Sequence, residues 1–300
     1  MSLVPLSVFE IANQAAGQDL YDIHLLSERG GHVLNSFGMD VSTQTLGEKD
    51  FDTIFVGSTS RISPAAPPTL NFLRHATGRC RRIASSCAGV FTLAESGVLD
   101  GRRVTTHWSF SLELQQRYPN IKVERDRIFV ADGPFWTSAG MTAGIDLALG
   151  FVERDAGAEL AKHTAKELVV HHRRTGGQSQ HSAMLELDAK SDRVLETLTF
   201  ARKHLREDLT VERLAEVARL SPRQFGRIFR IETGCSPARA IEKLRLEAAR
   251  LMLEQGRLSV EEIANASGFG DRERMRRSFL RAFGQTPQAL RNAQHPLVSF

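Results

Sequence analysis

The sequence predicts an α/β domain with a mostly parallel sheet, followed by an all-helical domain that contains two helix-turn-helix units. Short apolar runs alternate with amphipathic runs in the first part of the chain, whereas the last third shows only the helical period and carries an internal repeat. A polar stretch rich in Gly, Gln and Ser separates the two parts. We therefore assign residues 1–175 to the first domain, residues 176–191 to a linker and residues 192–300 to the second domain.

The first domain alternates predicted strands and helices, which is typical of a parallel sheet covered on both faces. An amphipathic run from Pro5 already has the pattern of a first helix. The predicted strands are residues 21–27, 53–56, 82–86 and 103–107, and the predicted helices are residues 70–77, 88–96, 143–154 and 156–173.

The composition is that of a globular protein, with 41% hydrophobic and 25% charged residues. No basic segment followed by an apolar run opens the chain, and no apolar run approaches the roughly 20 residues of a membrane span. We therefore expect a cytoplasmic protein with no membrane partner. Three cysteines without a CxxC pair, and the adjacent His171 and His172, indicate no disulfide, metal or cofactor.

The positive charge is concentrated in the last third of the chain. From Ser191 onward there are 20 Lys and Arg against 14 Asp and Glu, whereas residues 1–190 have 19 against 21. Eighteen of those 20 basic residues are arginine, whose planar fork suits phosphates and guanine edges. This asymmetry indicates a nucleic-acid partner, although a basic surface that is merely solvated remains an alternative.

The repeat supports the nucleic-acid interpretation. Each copy has a short helix, a turn, a second helix, a Gly stop and a Ser/Thr-Pro helix start, at an offset of 49 and then 50 residues. Residues 237–255 form one predicted helix that holds the two second helices toward successive major grooves, about 34 Å apart. The polar face of each second helix is rich in arginine: Arg223, Gln224, Arg227 and Arg230 in the first copy, and Arg272, Glu273, Arg274, Arg276 and Arg277 in the second.

The stretches "IANASGF" and "FLRAFGQTPQALR" resemble the DNA-binding domain of the AraC/XylS family over residues 192–291. This resemblance implies that the partner is double-stranded promoter DNA. By position in the family pattern, the DNA contacts are Arg223, Gln224, Arg227, Arg272, Glu273, Arg276 and Arg277.

The stretch "SSCAGVF", residues 85–91, places a thiol between a predicted strand and a predicted helix. N–H groups at a helix start favour a reactive thiolate at such an elbow. The next predicted strand ends at His107, and parallel strands end at one common edge, so Cys87 and His107 are expected to face each other. The alternative is that both are structural, Cys87 as a small residue in a tight turn and His107 as a strand end.

The stretches "SSCAGVFTLAESGVLDGRRVTTHW" and "TSAGMTAGIDLALGFVERDAG" resemble the ThiJ/PfpI, or class I glutamine amidotransferase-like, superfamily over residues 5–182. Joined to an AraC-type domain, this is the arrangement of the GlxA family of transcriptional regulators. The resemblance implies a flavodoxin-like domain that binds a small-molecule effector, an amino acid or a quaternary amine, and pairs two chains as a homodimer. Cys87 and His107 would line the effector pocket.

Two departures from that superfamily favour a regulator over an enzyme. Ala88 stands where peptidases of the superfamily carry histidine, and the acid before the first helix of its hydratases is missing, with Glu10 as a weak substitute. The usual opening strand is also not evident: either it lies upstream or the sheet lacks a strand. The rival interpretation keeps Cys87 as the nucleophile of a hydrolase, hydratase or glyoxalase-like enzyme, and a third makes it an oxidation sensor.

Overall fold

The computed structural model describes residues 3–35, 37–47, 49–57, 62–170, 174, 176, 180 and 182–294. Its internal contacts divide the chain into two units, Met1–Gln180 and His181–Phe300. The division lies inside the stretch that the sequence analysis assigned to a linker.

The first unit combines strands with helices in alternation. Its strands are β1 (Leu26–Ser27), β2 (Gly31–Leu34), β3 (Asp40–Thr45), β4 (Thr53–Val56), β5 (Arg82–Ser86), β6 (Arg103–Val104), β7 (Lys122–Val123), β8 (Phe129–Asp132) and β9 (Phe135–Ser138). Its helices are α1 (Leu6–Ala16), α2 (Pro67–Ala76), α3 (Gly89–Glu95), α4 (Ser111–Arg117), α5 (Thr142–Ala156) and α6 (Ala158–Glu167), with a 3₁₀ turn at Trp108–Phe110.

The main sheet has the strand order β4-β5-β9-β8, with β5 parallel to both of its neighbours and β8 antiparallel at one edge. All five residues of β5 are buried because helices cover both faces. Successive side chains of β5 enter different cores: Ile83 packs with residues of α2 and α3, and Ala84 packs with residues of α1 and α5. The predicted α/β architecture with a mostly parallel sheet is confirmed.

The predicted strand over residues 21–27 is mostly wrong. Only Leu26–Ser27 is a strand, and it pairs with β3 in a separate three-stranded sheet. The Asn13 side chain donates to the Tyr21 carbonyl at 2.8 Å and accepts from the Tyr21 N–H at 2.9 Å. Since a side chain satisfies both backbone groups, no neighbouring strand is needed there.

The predicted strand over residues 103–107 ends early, at Val104, and pairs with β7 outside the main sheet. The Thr105 N–H donates to the Thr137 hydroxyl at 2.8 Å, and Gln180 donates to the Thr106 carbonyl at 2.8 Å. Side chains therefore replace the strand ladder where the sequence predicts continued pairing. His107 begins the 3₁₀ turn instead of ending a strand.

Several elements were not predicted, including α4 and the hairpin of β2 and β3, whose residues are mainly exposed. The first helix begins at Leu6, as the sequence predicted. The helix predicted over residues 156–173 begins at Ala158 and ends at Glu167, and His171 and His172 lie outside the described residues.

The second unit contains helices joined by turns, and none of its described residues forms a strand. Its helices are α7 (Ala183–Leu187), α8 (Asp192–Lys203), α9 (Val211–Ala218), α10 (Pro222–Thr233), α11 (Pro237–Gln255), α12 (Val260–Ala266), α13 (Arg272–Phe283) and α14 (Pro287–Gln294). The pairs α9/α10 and α12/α13 are the two predicted helix-turn-helix units, each around its own core. Buried phenylalanines stand at the repeat positions Phe229 and Phe279.

Part of the predicted linker is ordered structure of the second unit. Ala183 and Leu187 of α7 are buried in the core that also contains Leu198 and Leu244. Lys243 of α11 forms an ion pair with Glu186 of α7 at 2.9 Å. A short amphipathic helix was not recognised because its five residues are too few to show a period. Within the described residues, no helix is both long and apolar enough to cross a membrane.

Candidate functional site

Cys87 lies at a sharp turn between β5 and α3, as the sequence predicted. Its φ of 54° is in the left-handed region, which costs a residue with a side chain free energy. The Cys87 N–H donates to the Ser138 carbonyl at 2.9 Å, which continues the β5/β9 pairing by one residue. This backbone hydrogen bond helps to hold the strained conformation of Cys87 in place.

Two glycines permit the close approach of other segments to this elbow. A Cβ atom at Gly140, whose φ is 105°, would lie 2.6 Å from the Cys87 Cβ. A Cβ atom at Gly89 would lie 2.5 Å from the Val56 carbonyl oxygen. No side chain fits at either position, so the ends of β4, β5 and β9 converge around the thiol.

His107 lies near the elbow because the preceding residue, Thr106, is hydrogen-bonded to Cys87. The Thr106 hydroxyl donates to the Cys87 carbonyl at 2.8 Å, so the segment that carries His107 is joined directly to the elbow. The His107 Nδ1 accepts a long hydrogen bond from the Ser109 N–H at 3.4 Å and lies 2.7 Å from the Ser109 hydroxyl. His107 thus caps the 3₁₀ turn with one ring nitrogen.

Exposed apolar side chains flank the elbow on both of these segments. Trp108 is 53% exposed and follows His107, while Met141 is 50% exposed and follows Gly140. Trp136 instead lies in the core between Phe129 and Phe151. Of these two tryptophans, Trp108 is therefore the one accessible to a ligand.

Gln180, the last residue of the first unit, is bound to the segment from Thr106 to Trp108, beside the elbow. Its side-chain nitrogen lies 2.8 Å from the Thr106 carbonyl oxygen and 3.1 Å from those of Arg125 and Arg127, so its two hydrogens are shared among three acceptors. Its amide oxygen accepts from the Trp108 N–H at 2.8 Å. The sequence analysis missed this residue, because nothing in a polar stretch marks one glutamine as a partner of backbone groups more than 50 residues away.

Arg174 fixes the chain shortly before Gln180. The carboxylate of Asp146, which is only 3% exposed, accepts from the Arg174 backbone N–H and from its guanidinium, at 2.7 to 2.9 Å. The same guanidinium donates to the Thr142 hydroxyl at 2.8 Å, in the first turn of α5. Arg174 and Gln180 therefore anchor the end of the first unit at α5, which follows Gly140, and at the segment beside Cys87.

The predicted DNA contacts of the first helix-turn-helix unit are exposed, but they are not equivalent. Arg223 and Arg227 of α10 form no ion pair and no side-chain hydrogen bond with any described residue. Gln224 instead completes a capping box: its amide oxygen accepts from the Ser221 hydroxyl at 2.8 Å and from the Ser221 N–H at 3.3 Å. The side chain of Gln224 is therefore partly engaged at the helix start.

The predicted contacts of the second unit are likewise exposed on α13. Arg272 and Arg277 form no ion pair and no side-chain hydrogen bond within the described part of the chain. Glu273 and Arg276 form a two-point pair, with Nε to Oε2 at 2.7 Å and Nη2 to Oε1 at 2.8 Å. No group of three metal-ligating side chains is present among the described residues.

The chain joins an α/β unit with a cysteine elbow to two helix-turn-helix units with exposed arginines. This combination defines a class of two-domain DNA-binding regulators. Comparison with protein families agrees: residues 4–154 match the DJ-1/PfpI family and residues 214–293 match a helix-turn-helix domain. The chain belongs to the AraC-type transcriptional regulators that carry a DJ-1/PfpI domain.

Two relatives match nearly the whole chain, and a solved structure matches just over half of it. The HTH-type transcriptional regulator CdhR of Pseudomonas aeruginosa is 33% identical over 90% of this chain and 81% of its own length. The regulator GlxA of Rhizobium meliloti is 29% identical over 93% of this chain and 88% of its own length. The crystal structure of an AraC family regulator from Pseudomonas putida, 24% identical, shares the fold over 55% of this chain and 90% of its own, with a TM-score of 0.50.

Proposed function

We propose that this protein is a transcriptional regulator whose second unit binds promoter DNA in response to a small-molecule effector bound in the first unit. The observation that carries the proposal is the pair of arginine-rich faces on α10 and α13. Four of their exposed arginines, Arg223, Arg227, Arg272 and Arg277, form no ion pair and no side-chain hydrogen bond with any described residue. Unpaired arginines on one helix face repel each other, and a polyanion relieves that repulsion.

The length of α11 suits two adjacent contacts with DNA. Its 19 residues span about 28 Å at the rise of an α-helix, and it connects the two helix-turn-helix units. We propose that α10 and α13 enter successive major grooves, about 34 Å apart. Arg227 and Arg277 occupy the same position in the repeat, so they are the arginines expected to make matching contacts in both grooves.

Replacement of Arg227 and Arg277 tests DNA binding. We expect R227A/R277A to lose sequence-specific binding. For each phosphate contact that is lost, the slope of log K against the logarithm of the salt concentration should become shallower by about one. Affinity for duplexes selected from a random pool would be measured at several salt concentrations. R79A/R117A, which removes two exposed arginines from the first unit, is the matched control and should bind normally. Equal binding by wild type and R227A/R277A would contradict the proposal.

For the effector, we propose the carboxyl edge of the main sheet beside Cys87 and His107. Ligands of open α/β sheets bind outside the carboxyl ends of the strands. The strained Cys87 backbone and the exposed Trp108 ring support this location, because strain concentrates at binding sites and an aromatic face can hold a cation. An amino acid or a quaternary amine is the effector class that the family resemblance suggests.

Gln180 offers a route from this edge to the second unit. Its amide holds the backbone at Thr106 and Trp108, beside the elbow. Only two residues separate Gln180 from α7, which is part of the DNA-binding unit. We propose that an effector displaces the segment around Thr106 and Trp108 and thereby changes the position of Gln180. The effector must bind the two arrangements with different affinities for DNA binding to respond. We further propose that the protein acts as a homodimer.

The rival function is a cysteine-dependent enzyme, and we propose that the protein is not one. Ala88 supplies no imidazole beside Cys87, and Glu10 lies on the exposed side of α1. A thermal-shift screen of amino acids, betaines and aldehydes on the full chain, repeated with Cys87→Ser, separates the two functions. The regulator is supported by a ligand that binds and is not consumed. It is also supported if C87S, without any ligand, binds DNA with the affinity of the wild type. Turnover that disappears in C87S would instead establish the enzyme.

A further inference from the structure

The two recognition helices present different side chains at equivalent positions. The repeat offset of 50 residues matches Arg227 with Arg277, but it matches Arg223 with Glu273 and Gly226 with Arg276. The Glu273–Arg276 pair on α13 therefore has no counterpart on α10. Any effect of this pair on DNA recognition is therefore confined to the half of the DNA site that α13 binds.

The geometry of the pair leaves half of the Arg276 guanidinium available. Arginine carries five N–H donors in one plane, and Glu273 accepts from one edge, formed by Nε and Nη2. The other edge, formed by Nη1 and the second Nη2 hydrogen, has no partner among the described residues. Two parallel donors of this kind match the O6 and N7 acceptors of guanine.

The pair also restricts the Arg276 side chain before any DNA arrives. A free arginine loses much rotamer freedom when it makes a two-point contact, whereas a side chain already held in one orientation loses less. Glu273 lies one turn before Arg276 on the exposed face of α13, and the hydrogen bonds from Arg276 lower the pKa of Glu273. The carboxylate is therefore charged at neutral pH and remains a partner for the guanidinium.

The negative charge has a second consequence. Arg272, Arg274 and Arg277 also lie on this face, and such a cluster attracts any phosphate backbone whatever its sequence. A carboxylate within the cluster weakens that attraction while it orients one guanidinium. Both effects raise the ratio of specific to non-specific binding.

We infer that Glu273 is a positioning residue that holds Arg276 to read one guanine in the half-site bound by α13. The inference rests on the proposed function, since it requires that α13 enters a major groove. The two half-sites then differ: the guanine read through Arg276 has no equivalent in the half bound by α10, where Gly226 stands at that position.

Selection of duplexes from a random pool by the full-length wild type, E273Q and R276A tests this inference. E273Q keeps the shape of the side chain but removes its charge. We expect it to lose the preference for one guanine and to bind the wild-type site about tenfold more weakly, while binding of random-sequence duplex is unchanged or stronger. R276A should lose the same preference, and E273Q/R276A should show no further loss at that position.

E261Q is the matched control, because it removes the same charge from an exposed position on α12. It should leave every base preference as in the wild type, and circular dichroism should show that all variants are folded. The inference is overturned if E273Q selects the wild-type sequence with wild-type affinity, or if it strengthens specific and random binding equally. A wild type that selects no sequence would refute the proposed function itself, and the inference with it.

Discussion

At the scale of single residues, the two ends of β5 carry different kinds of side chain. Cys87 stands at the carboxyl end of β5, whereas a buried ionic cluster stands at its other end. There Asp155 accepts from Arg82 at 2.5 Å and from the Tyr21 hydroxyl at 3.2 Å, and Arg82 is only 5% exposed. Removing one partner of a buried ion pair leaves the other charge unsatisfied, so the loss of either Arg82 or Asp155 would destabilise the first unit.

Because of Tyr21, the stability of the first unit is expected to fall at alkaline pH. Burial, followed by the nearby Asp155 carboxylate, raises the pKa of Tyr21 above its usual value. A raised pKa contributes stability that is present below the usual tyrosine pKa of about 10 and is lost as the pH rises beyond it. We expect Tyr21→Phe to reduce the fall in the unfolding midpoint between neutral pH and alkaline pH.

Tryptophan fluorescence is the suitable signal, because both tryptophans, Trp108 and Trp136, belong to the first unit. The other tyrosine, Tyr118, provides the comparison. Burial also raises its pKa, but the adjacent Arg117 lowers it. Tyr118→Phe should therefore change the alkaline response less than Tyr21→Phe, and the reverse order would show that Asp155 does not act on Tyr21.

At the scale of elements, the helices of the two units begin in different ways. A side chain caps the first turn of every helix from α8 to α13; the caps are Ser191, Thr210, Ser221, Ser236, Ser259 and Asp271. No side-chain cap starts any α-helix from α1 to α6. Each cap is worth about 1 kcal/mol and is visible in the sequence, so the helices of the second unit are encoded locally.

The turn between α12 and α13 depends on packing against a distant loop. Gly268 has a φ of 82°, and a Cβ atom there would lie 1.7 Å from the Leu205 carbonyl oxygen. Arg245 of α11 donates to that same carbonyl at 3.1 Å and to the Glu207 carbonyl at 2.9 Å. The loop before the first helix-turn-helix unit is thus held against the turn of the second.

Gly268→Ala is therefore expected to destabilise the second unit more than Gly270→Ala. Gly270 has a similar φ of 72° but open space around it, so its replacement costs only the left-handed strain of about 1–2 kcal/mol. Gly268→Ala adds a backbone clash and should cost more than about 3 kcal/mol in total. Urea denaturation followed by the helical circular dichroism signal measures both. Equal midpoints for the two variants would mean that the loop does not pack on Gly268.

At the scale of the whole molecule, the connection between the units is short. Gln180 is bound within the first unit, and Ala183 is buried in the second. A coupling between the effector edge and the DNA-binding unit then needs no long flexible linker. Energetic coupling requires an element with two arrangements, and the segment from Thr106 to Trp108, held by Gln180, is the proposed element.

Gln180→Ala is expected to uncouple effector from DNA. For a ligand found in the thermal-shift screen, the ratio of DNA affinities with and without the ligand should approach one in Q180A, while ligand binding itself persists. Fluorescence anisotropy of a labelled duplex measures this ratio. Gln115→Ala is the control, because Gln115 also joins backbone groups of the first unit, at Ile121 and Val123. The same loss of response in both variants would contradict a specific role for Gln180.

The sequence by itself determined the order of the two domains, the repeat, the helices of the second domain, the cysteine elbow and the arginine-rich faces. These depend on local signals: the spacing of apolar residues, helix caps, and glycines at helix ends. Only the tertiary structure decided that residues 21–25 and 105–107 are not strands, that α7 belongs to the second unit and that Gln180 holds the segment beside Cys87. The physical reason is that each of these depends on which partner satisfies a backbone or side-chain group, and such partners come from distant parts of the chain.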